Sequence, residues 1–254
     1  MINRPSDTPC LKEIDMAKWA SWMHKWLALL MAVQILFWFV SGLFFALAPI
    51  ETVRSEHRIA TPQAVTLDPS TIGSDLAAID TTSGRRPISV EIRSLLGRPV
   101  AEFSYADDRP TLFDLSTRRQ ISPISAQTAR RLAEDHLAGD APAVNVSQVL
   151  EESTEYRGAL PAWRVDFEQA NRAVYVAADT GEVTARRSTL WRTFDFLWSL
   201  HIMDFQNHED FNTPLLAVAT VLGLVIILTG IVMFPSRLGY NAWRRRRKRR
   251  QSAQ

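Results

Sequence analysis

The sequence predicts an α+β membrane protein: two transmembrane helices flanking a periplasmic domain of two like units, each a helix plus an antiparallel sheet. Three observations predict it. Two stretches carry no charge, Trp26–Ile50 with 25 residues and Pro214–Pro235 with 22 residues. Basic residues gather on the far side of both stretches. The segment between them holds two related runs of alternating apolar and polar residues.

Residues 1–21 are read as a cytoplasmic N-terminal segment and 22–50 as the first transmembrane helix. A helix needs roughly 20 apolar residues to cross the hydrocarbon core, and both runs suffice. In the first, only Gln34 and Ser41 are clearly polar. A signal-peptide core is shorter, about 7–15 residues, and ends at a small-residue cleavage site. This run is rich in Phe and Trp and ends in Ala48-Pro49-Ile50-Glu51, so it is expected to stay as an anchor. Lys12, Lys18 and Lys25 precede it, and Arg237 and Arg244–Arg250 follow the second run, 214–235. The positive-inside rule then places both termini in the cytoplasm of a two-pass protein, expected in a bacterial inner membrane. The basic tail, 236–254, suits anionic headgroups of the lipid bilayer, and no nucleic-acid partner is expected.

The extracytoplasmic stretch Glu51–Thr213 contains no lysine, 17 arginines and 24 acidic residues, a net charge of −7 against +2 for the whole chain. The one cysteine, Cys10, lies on the other side, so the outer domain is expected to rest on an ordinary apolar core. Within 51–189 two weak repeats are visible, ending Gly97–Ile121 and Ala159–Val183. In the second, Trp163, Val165 and Phe167 alternate with Arg164 and Asp166, the period of a strand. Gln169-Ala170-Asn171 reads as a turn, Ala173–Ala178 as the returning strand, and Asp179-Thr180-Gly181 as the end of the hairpin. Ser125 is read as the N-cap of a helix carrying Ala126, Ala129, Leu132, Ala133 and His136, with Gly139 as its stop. Val144–Glu151 follows as a strand, so the unit is read as a helix and three antiparallel strands. In the first copy Ser70–Ile79 and Ile88–Leu95 are the corresponding helix and first strand.

Residues 190–213 are expected to form an interfacial amphipathic helix and loop. Leu190, Phe194, Leu197, His201 and Phe205 fall on one helical stripe, widened by Trp191, Trp198 and Ile202. Tryptophans settle at headgroup depth, which suits this segment.

The stretch ISAQTARRLAEDHL…VNVSQVLE…LPAWRVDFEQANRAVYVAADTGEV resembles the PepSY domain. The flanks HKWLALLMAVQILFWFVSGLFFALAPIETVRSEH and LWRTFDFLWSLHIMDFQNHEDFNTPLL resemble the PepSY-associated transmembrane family. The resemblance covers roughly Trp22 to Pro235. It implies a module similar to propeptide segments that can restrain peptidases. It also implies kinship with ferric-siderophore reductases, which carry haem between membrane helices.

Of the five histidines, His201 stands out, because a polar ring in an apolar stripe needs partners. His57, seven residues past Ile50, is its counterpart. If the first helix continued past Pro49, His57 would stand roughly 10 Å above the core, at about 1.5 Å per residue. Two readings follow. His57 and His201 ligate the iron of a b-type haem, with Arg54 or Arg58 on the propionates. Alternatively, both bond to carboxylates such as Glu51, Glu56 or Asp204 and fasten helices together. His24, beside Trp22 and Trp26, is either an interfacial anchor or the ligand of an inner haem, completed by Met233 or by a second His24 in a homodimer. Without CxxCH, haem would be non-covalent. Gly42, Ser41, Gly223 and Gly230 are expected to admit close helix contact. There is no HExxH, Walker A, GxSxG or GxGxxG element, so the chain is not expected to be an enzyme on its own. The function expected is accessory: transmembrane electron transfer or iron and siderophore handling with haem, or a regulatory module binding a peptidase or another membrane or periplasmic protein.

Overall fold

The computed structural model describes residues 10–60, 69–79, 86–106, 109–137, 142–237 and 251. The basic run Arg244–Arg250 and the helix stop at Gly139 lie outside the described residues. In chain order the elements are α1 Cys10–Leu47, α2 Ile50–Val53, α3 Pro69–Ala77, β1 Ser89–Leu95, β2 Arg98–Ser104, β3 Thr111–Asp114, β4 Arg119–Gln120, α4 Ala126–His136, β5 Asn145–Val149, β6 Ala162–Phe167, β7 Arg172–Ala177, β8 Val183–Arg187, α5 Thr189–Ile202 and α6 Pro214–Arg237. They group into two compact units: Met1–Phe44 with Leu197–Gln254, and Phe45–Phe196. The boundary falls within α1 and within α5.

In the helical unit, Lys18–Leu47 and Pro214–Phe234 are long and apolar enough to cross a membrane. Large apolar side chains such as Leu30, Phe39 and Ile231 stand exposed on them, as lipid contact requires. Between the helices pack Met31, Ala219 and Ile226. A Cβ on Gly230 would meet His24 Cε1 at 3.3 Å, and one on Gly223 would meet Trp38 at 3.9 Å. Gly230 thus admits a close approach, whereas a Cβ at Gly223 would make only ordinary contact. Gly42 marks no close approach, since a Cβ there would meet nothing within 4 Å.

α1 stops at Leu47 because Pro49 brings no N–H and disfavours helical backbone in the residue before it. The chain restarts as α2, then turns at Ser55, φ 57°, into a single 3-10 turn at Glu56–Arg58. His57 therefore stands on this separate turn and not on a continuation of α1.

The outer unit contains two four-stranded antiparallel meanders, β1-β2-β3-β4 and β5-β6-β7-β8. A helix precedes each sheet, α3 and α4 respectively. Ser125 caps α4, its hydroxyl accepting from the Thr128 N–H at 3.2 Å. Leu96 and Gly97, with φ 49° and 74°, make the two-residue turn between β1 and β2 that the strand twist favours. Each sheet has four strands where three were expected. β4 is only two residues long, and β8 carries Thr and Arg on positions that alternation alone does not mark.

Side-chain parity gives the first sheet two jobs. Ala101, Phe103 and Phe113 point to a small cluster with Ile79. Val100 and Leu112, one residue out of phase, join the main core with Ile124, Leu132, Val165 and Val174. Successive strand residues face opposite sides, so the first sheet walls its own core and that of the second unit. The Asp179-Thr180-Gly181 turn is gripped at this joint. Arg93 Nη2 donates to the Thr180 carbonyl, and Gly181, φ 71°, leaves room for Leu95 and Leu132.

Candidate functional site

The helical unit gathers its polar groups on one face of α1. Gln34, Trp38 and Ser41 follow at spacings of four and three, which aligns them. They receive the C-terminal end of α5, whose last carbonyls have no partner within the helix. Gln34 Nε2 donates to the Leu200 carbonyl at 3.0 Å, and Trp38 Nε1 to that of His201 at 2.8 Å. Ser41 is fully buried, and its Oγ lies 2.6 Å from the Phe37 carbonyl and 2.7 Å from His201 Nδ1. The hydroxyl has one proton, which goes to the backbone carbonyl. His201 Nδ1–H is therefore the donor to Ser41, and the lone pair of the neutral ring sits on Nε2. The partner of this nitrogen is a hydroxyl, not one of the expected carboxylates.

α5 ends at Ile202, and Met203, φ 55°, turns the chain, so Phe205 leaves the expected stripe and stands exposed. The loop that follows is organised by Asp204, which is buried. Its two oxygens accept the N–H groups of Gln206, Asn207, Glu209 and Asp210 at 3.0–3.2 Å. The Asp210 N–H, against an upward push from burial, and those of Asn207, Glu209 and Gln206 hold this carboxyl well below the usual carboxylate range. Trp198 adds a tie, donating to the His208 carbonyl at 3.1 Å and meeting Phe211 edge-on at 5.5 Å.

His24 joins α1 to α6. Its Nδ1 lies 2.9 Å from the Ile226 carbonyl, which can only accept, so the ring donates here as well. Thr229 Oγ1 is 3.2 Å from the same nitrogen.

The remaining expected site residues belong to the outer unit. His57 is exposed on its 3-10 turn. The Arg54 guanidinium is exposed and 3.9 Å from Glu56, while the Arg54 carbonyl accepts from Arg186 Nε at 3.3 Å. Arg58 is half-buried, and its charge adds to burial in pushing the buried Arg172 guanidinium down. His57 and His201 thus fall in different units. His136 Nε2 accepts from Arg186 Nη1 at 2.9 Å; burial first, then the Arg186 charge, push this imidazole down.

Sequence reasoning missed the polar centre of the outer unit. Glu155 accepts from Arg192 Nε at 2.6 Å, Arg164 Nη1 at 3.2 Å and the Tyr175 hydroxyl at 3.1 Å. Burial pushes its carboxyl up, but the bonds from Arg192 and Tyr175 and the charges of Arg192 and Arg164 outweigh this and leave it lowered. Burial pushes the Tyr175 hydroxyl up to about 12. Tyr156 stacks on Tyr175 at 4.6 Å, and Arg187 lies over the Trp191 ring at 3.9 Å. The network fastens the 151–157 loop and the second sheet to the first turns of α5. Its sequence signal was an acid-aromatic pair, Glu155-Tyr156, facing arginines more than eight residues away, which no local period marks.

The chain, two apolar helices that flank two helix-and-sheet units in sequence, is matched by a family model described as the PepSY-associated TM region, over residues 21–254. The chain belongs to that family. The match includes α1 from residue 21 onward, both sheets and α6, so this PepSY-associated membrane protein carries the family pattern across both units. No curated protein and no solved structure matches the chain.

Proposed function

We propose that this PepSY-associated protein is a two-pass protein of a bacterial inner membrane, both termini cytoplasmic, whose periplasmic domain is a non-enzymatic binding module for a protein partner. One observation carries the reading. Four polar side chains of the membrane helices, His24, Gln34, Trp38 and Ser41, make helix-to-helix hydrogen bonds. The membrane part is then an anchor, and the outer domain is the working part. Lys18 and Lys25 at the inner end of α1 support the orientation. Exposed apolar residues beside the sheet-edge strands β1 and β5, Ile88 and Val144, support contact with a partner.

A second reading is an accessory role in transmembrane electron transfer or iron handling with b-type haem. It is favoured by the same two histidines. Each donates through Nδ1, which places the lone pair on Nε2, as in ligating imidazoles whose other ring nitrogen donates to a carbonyl or hydroxyl. His201 would hold the iron of an outer haem and His24 that of a separate inner one, about 17 helical residues away along α1, and haem would supply one-electron chemistry.

The test uses the full-length protein with a photo-crosslinking side chain at Ile88 or Val144, in wild type and in His201→Ala. The expected result is one discrete adduct in both, with a flat reduced-minus-oxidised visible spectrum under ample haem supply. Sharp b-type bands that vanish in His24→Ala or His201→Ala would replace the first reading with the second.

A further inference from the structure

A cleft opens in the outer unit where the two helix-and-sheet units meet. Its cavity of about 320 Å³ lies between the β1–β2 hairpin and the first turns of α4. Ligand pockets run about 300–1,000 Å³, so this one lies at the small end and has room for a side chain with its backbone. Leu95, Val100 and Ile124, all buried, make the floor. Arg98, Arg131 and Asp114 stand at the mouth.

The charges are unevenly engaged. Asp114 Oδ1 accepts the Ser116 and Thr117 N–H groups at 2.8 Å and 3.0 Å, and its Oδ2 lies 3.7 Å from Arg98 Nη1. The Arg98 side chain remains 72% exposed. Glu134, the acid one turn along α4 from Arg131, is taken by Arg130 at 3.0 Å and by the Ala143 N–H at 2.9 Å. Two guanidiniums against one carboxylate leave the mouth with one excess positive charge above an apolar floor. A single-charged carboxylate on an apolar chain complements both parts. Guanidinium forks bind carboxylates with two parallel bonds.

We propose that this seam cleft binds the C-terminal end of a peptide, its last apolar side chain on the Leu95–Val100–Ile124 floor and its α-carboxylate between Arg98 and Arg131. The assignment deepens the partner-binding reading and rests on it.

The test titrates detergent-solubilised full-length protein with a fluorescein-labelled pentapeptide ending in leucine, as the free acid and as the C-terminal amide. The acid is expected to bind about tenfold tighter than the amide, the size of one charge-assisted bond. Arg131→Gln is expected to remove that preference, and Arg131→Lys to restore part of it. Equal binding of acid and amide, or an unchanged preference in Arg131→Gln, overturns the proposal. Octanoate competing as well as the peptide also overturns it and assigns the cleft to acyl carboxylates. The crosslinked adduct of the preceding section keeps the two failures apart. An adduct retained in Arg131→Gln, with acid and amide binding alike, sinks the cleft alone. No adduct in the wild type, with acid and amide binding alike, sinks the broader reading and the cleft with it.

Discussion

The two sheets of the outer unit share one topology but are held in different ways. The second is enclosed: every residue of β7 is buried, and α4 lays Ala129, Leu132 and Ala133 on its core. The first is a wall: β1 runs from exposed at Ser89 to buried only at Leu95, and its own cluster is small. The first sheet lends Leu95, Val100 and Leu112 to its neighbour's core. The difference teaches that one repeat is the foundation and the other is built against it. Divergence of the first copy in sequence follows, because one of its faces answers to the partner unit's shape.

Neighbouring residues on β3 offer the strongest way to break this comparison. Leu112 and Phe113 differ by one position and serve different cores. Phe103 meets Phe113 edge-on at 5.2 Å in the smaller one. Leu112→Ala and Phe113→Ala should each cost about 3 kcal/mol, the range for truncating a buried large side chain. Hydrogen exchange should separate them. Leu112→Ala is expected to raise exchange in β6 and β7, whereas Phe113→Ala confines the rise to β1–β3. Equal spread from both would mean that the two cores open as one.

The second unit was legible because it obeys local rules. Ser125, the α4 apolar spacing and the β6 alternation each act over a few residues. The first helix and strand were also found, from a weaker copy of the same pattern. What stayed hidden depends on contacts between distant residues: the joint at Thr180 and Gly181, the arginines around Glu155, and the register that puts Leu112 into a foreign core. In the helical unit the charge-free runs were plain, and Gln34 and Ser41 were visible as its polar exceptions. Their partners were not, since nothing in the sequence links position 41 to position 201. The α1 break at Pro49 was the one place where a known helix breaker outweighed a continuous apolar pattern.

Polar anchoring sharpens the comparison by a smaller step. Glu155 in the second unit gathers three donor side chains, whereas Glu102 in the first meets Arg93 at 3.3 Å. Glu155→Gln should cost about 2 kcal/mol, as for bonds to a charged group, and Glu102→Gln less than about 1 kcal/mol. The acid dependence carries a sign. The Glu155 carboxyl lies lower folded than unfolded, so its contribution is complete above the ordinary value of about 4.3 and is lost as pH falls through the lower folded value. Thermal unfolding scans below that pH should show wild type approaching Glu155→Gln, while the two remain apart at pH 7. A constant gap across the whole range would remove Glu155 from the account of why the second unit is the firmer one.

The smallest effect probes the joint itself. Gly97 and Gly181 both have positive φ, 74° and 71°, so alanine at either costs about 1 kcal/mol for left-handed backbone. Gly97 sits at the tip of the β1–β2 hairpin, whereas Gly181 lies between the two helix-and-sheet repeats of the outer unit. A Cβ on Gly181 would stand 3.3 Å from Leu95 and 3.4 Å from Leu132, one side chain from each unit. Those leucines, both part of the shared core, must give by a few tenths of an ångström. Gly181→Ala should therefore lower the melting temperature more than Gly97→Ala, by a further 2–4 °C or so for each extra kcal/mol. Pairing Gly181→Ala with Leu95→Ala relieves the crowding on one side, and the double variant should lose less than the two single changes added together. Strict additivity would show that the leucines shift without strain, and the two sheets would then be neighbours rather than one structure built on the other.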